Sequence, residues 1–342
     1  MPKFGEVADE MKANGYKSIE KIYTVIEGGD NVAMAKTTGL TILEYTNILQ
    51  RLDPDMVVII GDRFEVLAVT IASAYLNKII VHIEGGDVSG TIDESVRHAV
   101  TKFAHIHFVT NDLSAKRVAR MGENPDYIHN VGSLDVEFLE NAPVIKDLNF
   151  VNQLGVGSDI DITKPYLIVM QHPVTTGEDN LKNIQITLEA INDLGMPAVW
   201  FWPNIDAGTK EASNAIRTFR EDNQGYNIRF IVHLPGDKFI NLLKGASCFV
   251  GNSSTGIKEC SYLGIPVVNI GTRQSGRLCA ESVAHVDYDS KKIIEAIKSQ
   301  LAKGRYPSSK IYYKPNTSRQ IVAVLKKANP PIQKKFFMNK DN

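Results

Sequence analysis

The chain has 342 residues, more than one core ordinarily serves, so two domains are expected. It is 43% hydrophobic and 23% charged with a formal net charge of −1, a soluble globular composition without the basic excess of a nucleic-acid binder. No apolar run reaches the ~18 residues of a membrane span and no signal-peptide pattern opens the chain; Cys248, Cys260 and Cys279 lack CxxC spacing and read as reduced thiols of a cytoplasmic protein.

In chain order, PKFGEVADEMKANGY (2–16) reads as helix-like and KIYTVIE (21–27) as a short strand. DMVVII (55–60), KIIVHIE (78–84) and HIHFVT (105–110) are continuous apolar runs, the pattern of buried parallel strands, with a helix over 64–77 between the first two. A polar stretch near 143–163, with Pro143 and little periodicity, reads as a linker. A second strand series follows: YLIVMQ (166–171), PAVWFW (197–202), IRFIVH (228–233), CFVGN (248–252) and PVVNIG (266–271). Two blocks of alternating strands and helices predict two doubly wound, Rossmann-like α/β domains facing a cleft, over 1–150 and 151–342. The last helix is expected to pack back on the N-terminal domain. In such sheets ligands sit at the carboxyl ends of strands.

Those ends are where the polar residues gather. The first strand runs into Gly61, Asp62 and Arg63, the second into Glu84, Gly85, Gly86 and Asp87. In the second series His172, Asn204 with Asp206, and Asn252–Ser253–Ser254 occupy the same position. Any one of them reads equally as a helix cap; five together point to a site. NSSTGIKE (252–259) offers hydroxyls and free N–H groups at a helix start, an arrangement suited to a nucleotide phosphate, with Glu259 one to two turns in for ribose hydroxyls. The alternative is an ordinary cap by Ser253 or Ser254. Neither GxxxxGK[ST] nor GxGxxG occurs. Arg273 and Arg277 follow the next strand, where either guanidinium would neutralise a diphosphate.

Asp62, Glu84 and Asp93 are the candidate chemical carboxylates. Carboxylates brought together repel, at least one pKa rises, and a raised pKa suits proton transfer near neutral pH. Against this, Asp62 would form a salt-bridged turn with Arg63, and Asp93 would cap the helix beginning DESVRHAVTKFA. His98, His105 and His107 lack HExxH or related spacing, so no metal site is expected, and His82, His105 and His107 read as packed or edge histidines.

GDRFE (61–65), HIEGGDVSGTIDESVRHA (82–99), QHPVTT (171–176), FWPNIDAG (201–208), GNSSTGIKE (251–259) and NIGTRQSGR (269–277) together resemble the hydrolysing UDP-N-acetylglucosamine 2-epimerases of the sialic and legionaminic acid branch. The resemblance runs through nearly the whole chain. It implies a glycosyltransferase-B-like fold with UDP held mainly by the C-terminal domain. It implies anti elimination of UDP from C1 with loss of the C2 proton, giving 2-acetamidoglucal, then hydration to free N-acetylmannosamine. On this resemblance Asp62, Glu84, Asp93 and His172 are catalytic. Arg63, Asn204, Ser253, Ser254, Glu259 and Arg273 contact substrate or UDP. The enzyme needs no cofactor and no metal, takes a UDP-sugar as its partner, and forms a homo-oligomer, dimer or tetramer. The chain departs from the family in two places. It is expected to lack the family's N-terminal βαβ segment with its GTRxxxxK loop, about forty residues, and so to be weakly active or inactive. After Arg277 it runs LCAESV where relatives are more polar. The competing readings are the same chemistry on a nucleotide-linked 2,4-diacetamido-trideoxyhexose, a glycosyltransferase of the same fold, and an inactive nucleotide-sugar-binding form.

Overall fold

The computed structural model describes residues 7–338 apart from 18, 29, 178, 204–206 and 224. The chain divides into two compact units. The N-terminal unit comprises Tyr23–Phe138, Ser275–Arg277 and Lys310–Asn342; the C-terminal unit comprises Met1–Ile22, Leu139–Gln274 and Leu278–Ser309.

Four parallel strands form the N-terminal sheet in the order β1 (Met56–Ile60), β2 (Ile79–Ile83), β3 (Ile106–Val109), β4 (Ile128–Asn130). Successive residues point to opposite faces. Ile79, Val81, Ile83, Ile106 and Phe108 therefore pack on one side, with Ile321 of the helix Thr317–Leu325. Ile59 and Ile80 pack on the other with Val96 and Val100 of the helix Ile92–Phe103. Burial on both faces is why β2 and β3 read as unbroken apolar runs; β1 reads the same way, yet its Val58 and Ile60 are exposed. KIYTVIE departs from expectation: residues 21–26 form no strand, and Tyr23 is exposed. Among the described residues β1 pairs only with β2, and an apolar run without a partner strand makes no ladder.

The C-terminal sheet has seven strands: β5 (Val156–Gly157), β6 (Leu167–Met170), β7 (Ala198–Phe201), β8 (Ile228–Ile231), β9 (Cys248–Gly251), β10 (Val267–Ile270) and β11 (Val283–Val286). Their order is β11-β10-β9-β6-β7-β8-β5. Counting β6 as the first strand, β8-β7-β6-β9-β10-β11 is the 3-2-1-4-5-6 order of a dinucleotide-type fold, and the direction reverses between β6 and β9. The segment read as a linker holds the helical turn Phe150–Gln153 and β5, which pairs antiparallel with β8. No described helix is long and apolar enough to cross a membrane.

In the N-terminal unit the tail is fastened to the helix Ile92–Phe103. Lys334 Nζ donates to Lys102 O (2.7 Å) and Ala104 O (2.5 Å), carbonyls at the helix end that lack intrahelical partners. It also pairs with buried Glu123 at 2.5 Å, which Lys102 (2.6 Å) and His107 (3.2 Å) share. Burial alone would raise the Glu123 pKa, but these hydrogen bonds outweigh it and hold it at about 2. A Lys334→Met variant is expected to lose about 1–2 kcal/mol of stability, read as a lowered urea midpoint. An unchanged midpoint would show that the tail bears no load.

Candidate active site

In the N-terminal unit the polar residues after β1, β2 and β4 are tied together by long-range bonds. Asp62 pairs with Arg97, a guanidinium only 1% exposed, rather than with Arg63. Arg63 instead holds Glu65 through two bonds of 2.9 and 3.2 Å. The proposed salt-bridged turn is thus replaced by a contact between a strand end and a helix. Arg97 Nη1 also donates to Asp87 O at 3.0 Å. Glu84 takes the left-handed backbone conformation, φ 69°. Such a conformation is costly for a non-glycine residue and is found at sites where the surroundings hold it. Its N–H donates to Phe108 O (2.8 Å), and its carboxylate accepts from Ser133 Oγ (3.1 Å) after β4. Asp93 is not the cap of its helix. Thr91 is the N-cap and accepts from Asp93 N–H at 3.3 Å, while its hydroxyl donates to Asp93 Oδ2 at 2.9 Å. Asp93 thus lies in the first turn, where an anion is favoured.

Beneath these groups lies His82, fully buried in β2. Its Nε2 faces Gly61 O at 2.9 Å, and a carbonyl only accepts, so Nε2 carries the proton. Nδ1 then accepts from Thr101 Oγ1 at 3.0 Å. A Cβ at residue 85 would meet His82 Nδ1 at 2.8 Å, so the first glycine of the Gly-Gly bend keeps this pair closed. Burial lowers the His82 pKa to about 4, only partly offset by the bond to Gly61. The ring is neutral when folded but protonates near 6.5 when unfolded. Its contribution is therefore fully present above pH 6.5 and is lost as pH falls toward 4, about 3 kcal/mol across that window. Urea midpoints at pH 7 and 4.5 should differ less in a His82→Gln variant than in the wild type. Equal differences would refute the assignment.

In the C-terminal unit the candidates lie at the reversal of strand order. Register pairs Met170 with Gly251, so the residues that follow β6 and β9 are neighbours. Gly251 has φ 131°, and a Cβ there would sit 2.2 Å from Met170 O, so no other residue fits this approach. Beyond it, fully buried Asn252 clamps His172: Oδ1 accepts from His172 N–H and Nδ2 donates to His172 O, both at 2.8 Å. Asn252 O in turn accepts from Gln274 Nε2 (2.7 Å) and Arg273 Nη1 (3.3 Å) after β10. Ser253 is the N-cap of Ser254–Ile257, accepting from Thr255 N–H at 3.3 Å. Glu259 Oε1 accepts from Thr255 Oγ1 at 3.2 Å. His172, Ser253, Ser254, Glu259 and Arg273 thus belong to one strand-end assembly.

Asn204 lies outside the described residues. Arg277, considered beside Arg273 for a diphosphate, belongs with the N-terminal unit and faces Asp87 there at 3.4 Å. Sequence reasoning placed Asp87 and Asn252 at strand ends but gave them no partner, and it did not single out Arg97 or Gln274. Each stands inside a quoted motif, but nothing local distinguishes a buried tie from a surface polar residue. Among the described residues no group of three or more histidine, cysteine or acidic side chains is arranged to hold a metal ion.

A family model described as UDP-N-acetylglucosamine 2-epimerase matches residues 2–326. A UDP-N-acetylglucosamine 2-epimerase of Neisseria meningitidis is 32% identical over 311 residues, 90% of this chain and 78% of that protein. A UDP-N,N'-diacetylbacillosamine 2-epimerase (hydrolyzing) of Legionella pneumophila is 32% identical over 326 residues, 94% of this chain and 84% of that protein. The crystal structure of Methanocaldococcus jannaschii UDP-GlcNAc 2-epimerase in complex with UDP-GlcNAc and UDP aligns with a TM-score of 0.73 at 19% identity, covering 86% of this chain and 82% of that one. That likeness shows the expected fold, two Rossmann-like units of the glycosyltransferase-B kind.

Proposed function

Because the chain belongs to the UDP-N-acetylglucosamine 2-epimerase family, we propose that it is a hydrolysing 2-epimerase that converts UDP-N-acetylglucosamine to N-acetylmannosamine and UDP. The observation that carries this reading is the acidic assembly of the N-terminal unit, with Asp62 tied to Arg97 and Glu84 to Ser133 at neighbouring strand ends. A C2–H bond is weakly acidic and needs a fixed carboxylate aimed at it. One carboxylate of the set Asp62, Glu84 and Asp93 takes the C2 proton as the C1–O bond breaks and UDP leaves with the electron pair. Water then adds to the 2-acetamidoglucal: its hydroxyl goes to C1, and a proton returns to C2 on the face that gives the manno configuration. Ser253, Ser254 and Arg273 hold the diphosphate, Glu259 the ribose, and His172 the diphosphate or the sugar. Arg63 contacts the substrate.

A second sugar is favoured by the Legionella relative, whose own name specifies a diacetylbacillosamine and a hydrolysing reaction. The test is proton NMR of the purified chain in D2O with each UDP-sugar. The expected result is free UDP and a 2-epimerised sugar carrying deuterium at C2. Epimerisation with the nucleotide retained would overturn the hydrolysing assignment. UDP binding without turnover of either sugar would overturn the enzymatic one.

A further inference from the structure

Ser133 enters the scheme above only as the partner of Glu84, yet the loop that carries it is held more tightly than a helix cap requires. Ser133 is 1% exposed and stands after β4, just before the helix Leu134–Asn141. Asp135 N–H donates to Ser133 Oγ at 3.2 Å, the ordinary capping bond. An N–H can only donate, so this bond occupies a lone pair and leaves the single hydroxyl proton for Glu84 Oε1, at 3.1 Å. The backbone of the loop is pinned by the segment that leads into the helix Thr317–Leu325. Ser133 N–H donates to Tyr312 O at 2.8 Å. Thr317 Oγ1, fully buried, donates to Val131 O at 2.7 Å. Between them Gly132 has φ 80°, and a Cβ there would sit 2.6 Å from Lys314 N, so loop and segment lie in direct contact. Glu84 is fixed at its backbone too, with φ 69° and its N–H on Phe108 O at 2.8 Å.

We propose that Ser133 is a positioning residue that fixes the direction in which the Glu84 carboxylate faces the sugar. A glutamate side chain turns about several bonds between its backbone and its carboxylate, so a locked backbone alone leaves the reacting end free to swing. One directed bond to Oε1, from a hydroxyl that is itself buried and oriented, removes that freedom. A reacting group misplaced by about 1 Å loses up to ~10²-fold in rate. Ser133 touches no substrate in this scheme and acts through Glu84. Residues 312–317, far along the chain, thereby support the active site by holding the loop that aims the hydroxyl. Asp62 is held by a different device, the guanidinium of Arg97.

The inference rests on the proposed function, and its test keeps the two apart. Ser133→Ala should lower kcat about 10–100-fold, counted per site that binds UDP, with KM for the UDP-sugar little changed. In a Glu84→Gln background the same substitution should change kcat by less than about twofold, because the group it orients no longer reacts. Equal losses in both backgrounds would mean that Ser133 acts through the fold at large, and would overturn the proposal. Crystal structures of the full chain give a readout without turnover. The Glu84 side chain should hold one orientation in the wild type and turn away or divide between two in Ser133→Ala; an unmoved Glu84 also overturns the proposal. Ser133→Cys keeps the shape of the side chain but offers only a weak donor, and it carries the same measurements if the alanine variant does not fold. If the wild type turns over no UDP-sugar, the functional reading fails, while the crystal comparison still decides whether Ser133 sets Glu84.

Discussion

Asp62→Asn should lower kcat about a thousandfold while leaving UDP binding intact. The substitution keeps the size of the side chain and removes its charge. A positioned acid or base is worth roughly 10²–10⁴ in rate, and an amide does neither job. The change also leaves Arg97, 1% exposed, without its carboxylate. Breaking a fully buried pair costs about 3–5 kcal/mol. The Asp62 side chain is 25% exposed, so a loss of about 2–3 kcal/mol is expected here. Two measurements separate these effects: steady-state UDP release for the rate, and urea unfolding for stability. Adding Arg97→Met removes the stranded charge and should restore part of the stability but none of the rate. A single variant that turns over within about tenfold of wild type would remove Asp62 from the chemistry.

Asn252→Ala should cost about 4 kcal/mol of stability and weaken UDP binding together. The side chain satisfies both backbone groups of His172 in a fully buried place, at 2.8 Å each. Alanine leaves a buried N–H and a buried carbonyl unpaired, at about 1–3 kcal/mol apiece, and opens a small void. It also frees His172 and shifts the carbonyl that receives Gln274 and Arg273. Asn252→Asp tests the geometry more finely. Its carboxylate still accepts from His172 N–H but opposes His172 O, so it should be almost as damaging. Urea unfolding and a UDP titration read the result; a loss below about 1 kcal/mol would show that the clamp is replaceable by water.

Legibility from the sequence followed locality. Strands β2, β3 and β6–β10 were readable because burial on both faces demands unbroken apolar runs, as in IIVHI and AVWF; β4, β5 and β11, short and partly exposed, were not foreseen. The strand-end location of Asp62, Glu84, His172 and Ser253 was readable because polar residues follow those runs directly. The Ser253 cap was readable because a hydroxyl before a helix satisfies orphan N–H groups.

Partner identity was not local. Asp62 and Arg63 are neighbours in the chain, yet Asp62 pairs with Arg97 and Arg63 with Glu65. Asp93 sits at a helix start, yet Thr91 caps it. KIYTVIE has strand composition, yet residues 21–26 form no strand. Arg277 follows Arg273 in one motif, yet Arg273 donates to Asn252 O while Arg277 faces Asp87. By itself the sequence determined which segments are buried strands and where along them the polar groups fall, because periodicity and capping act over a few residues. Only the tertiary structure decided which charge meets which and that Asn252 grips His172, because those contacts depend on strand order and register, which no local pattern contains.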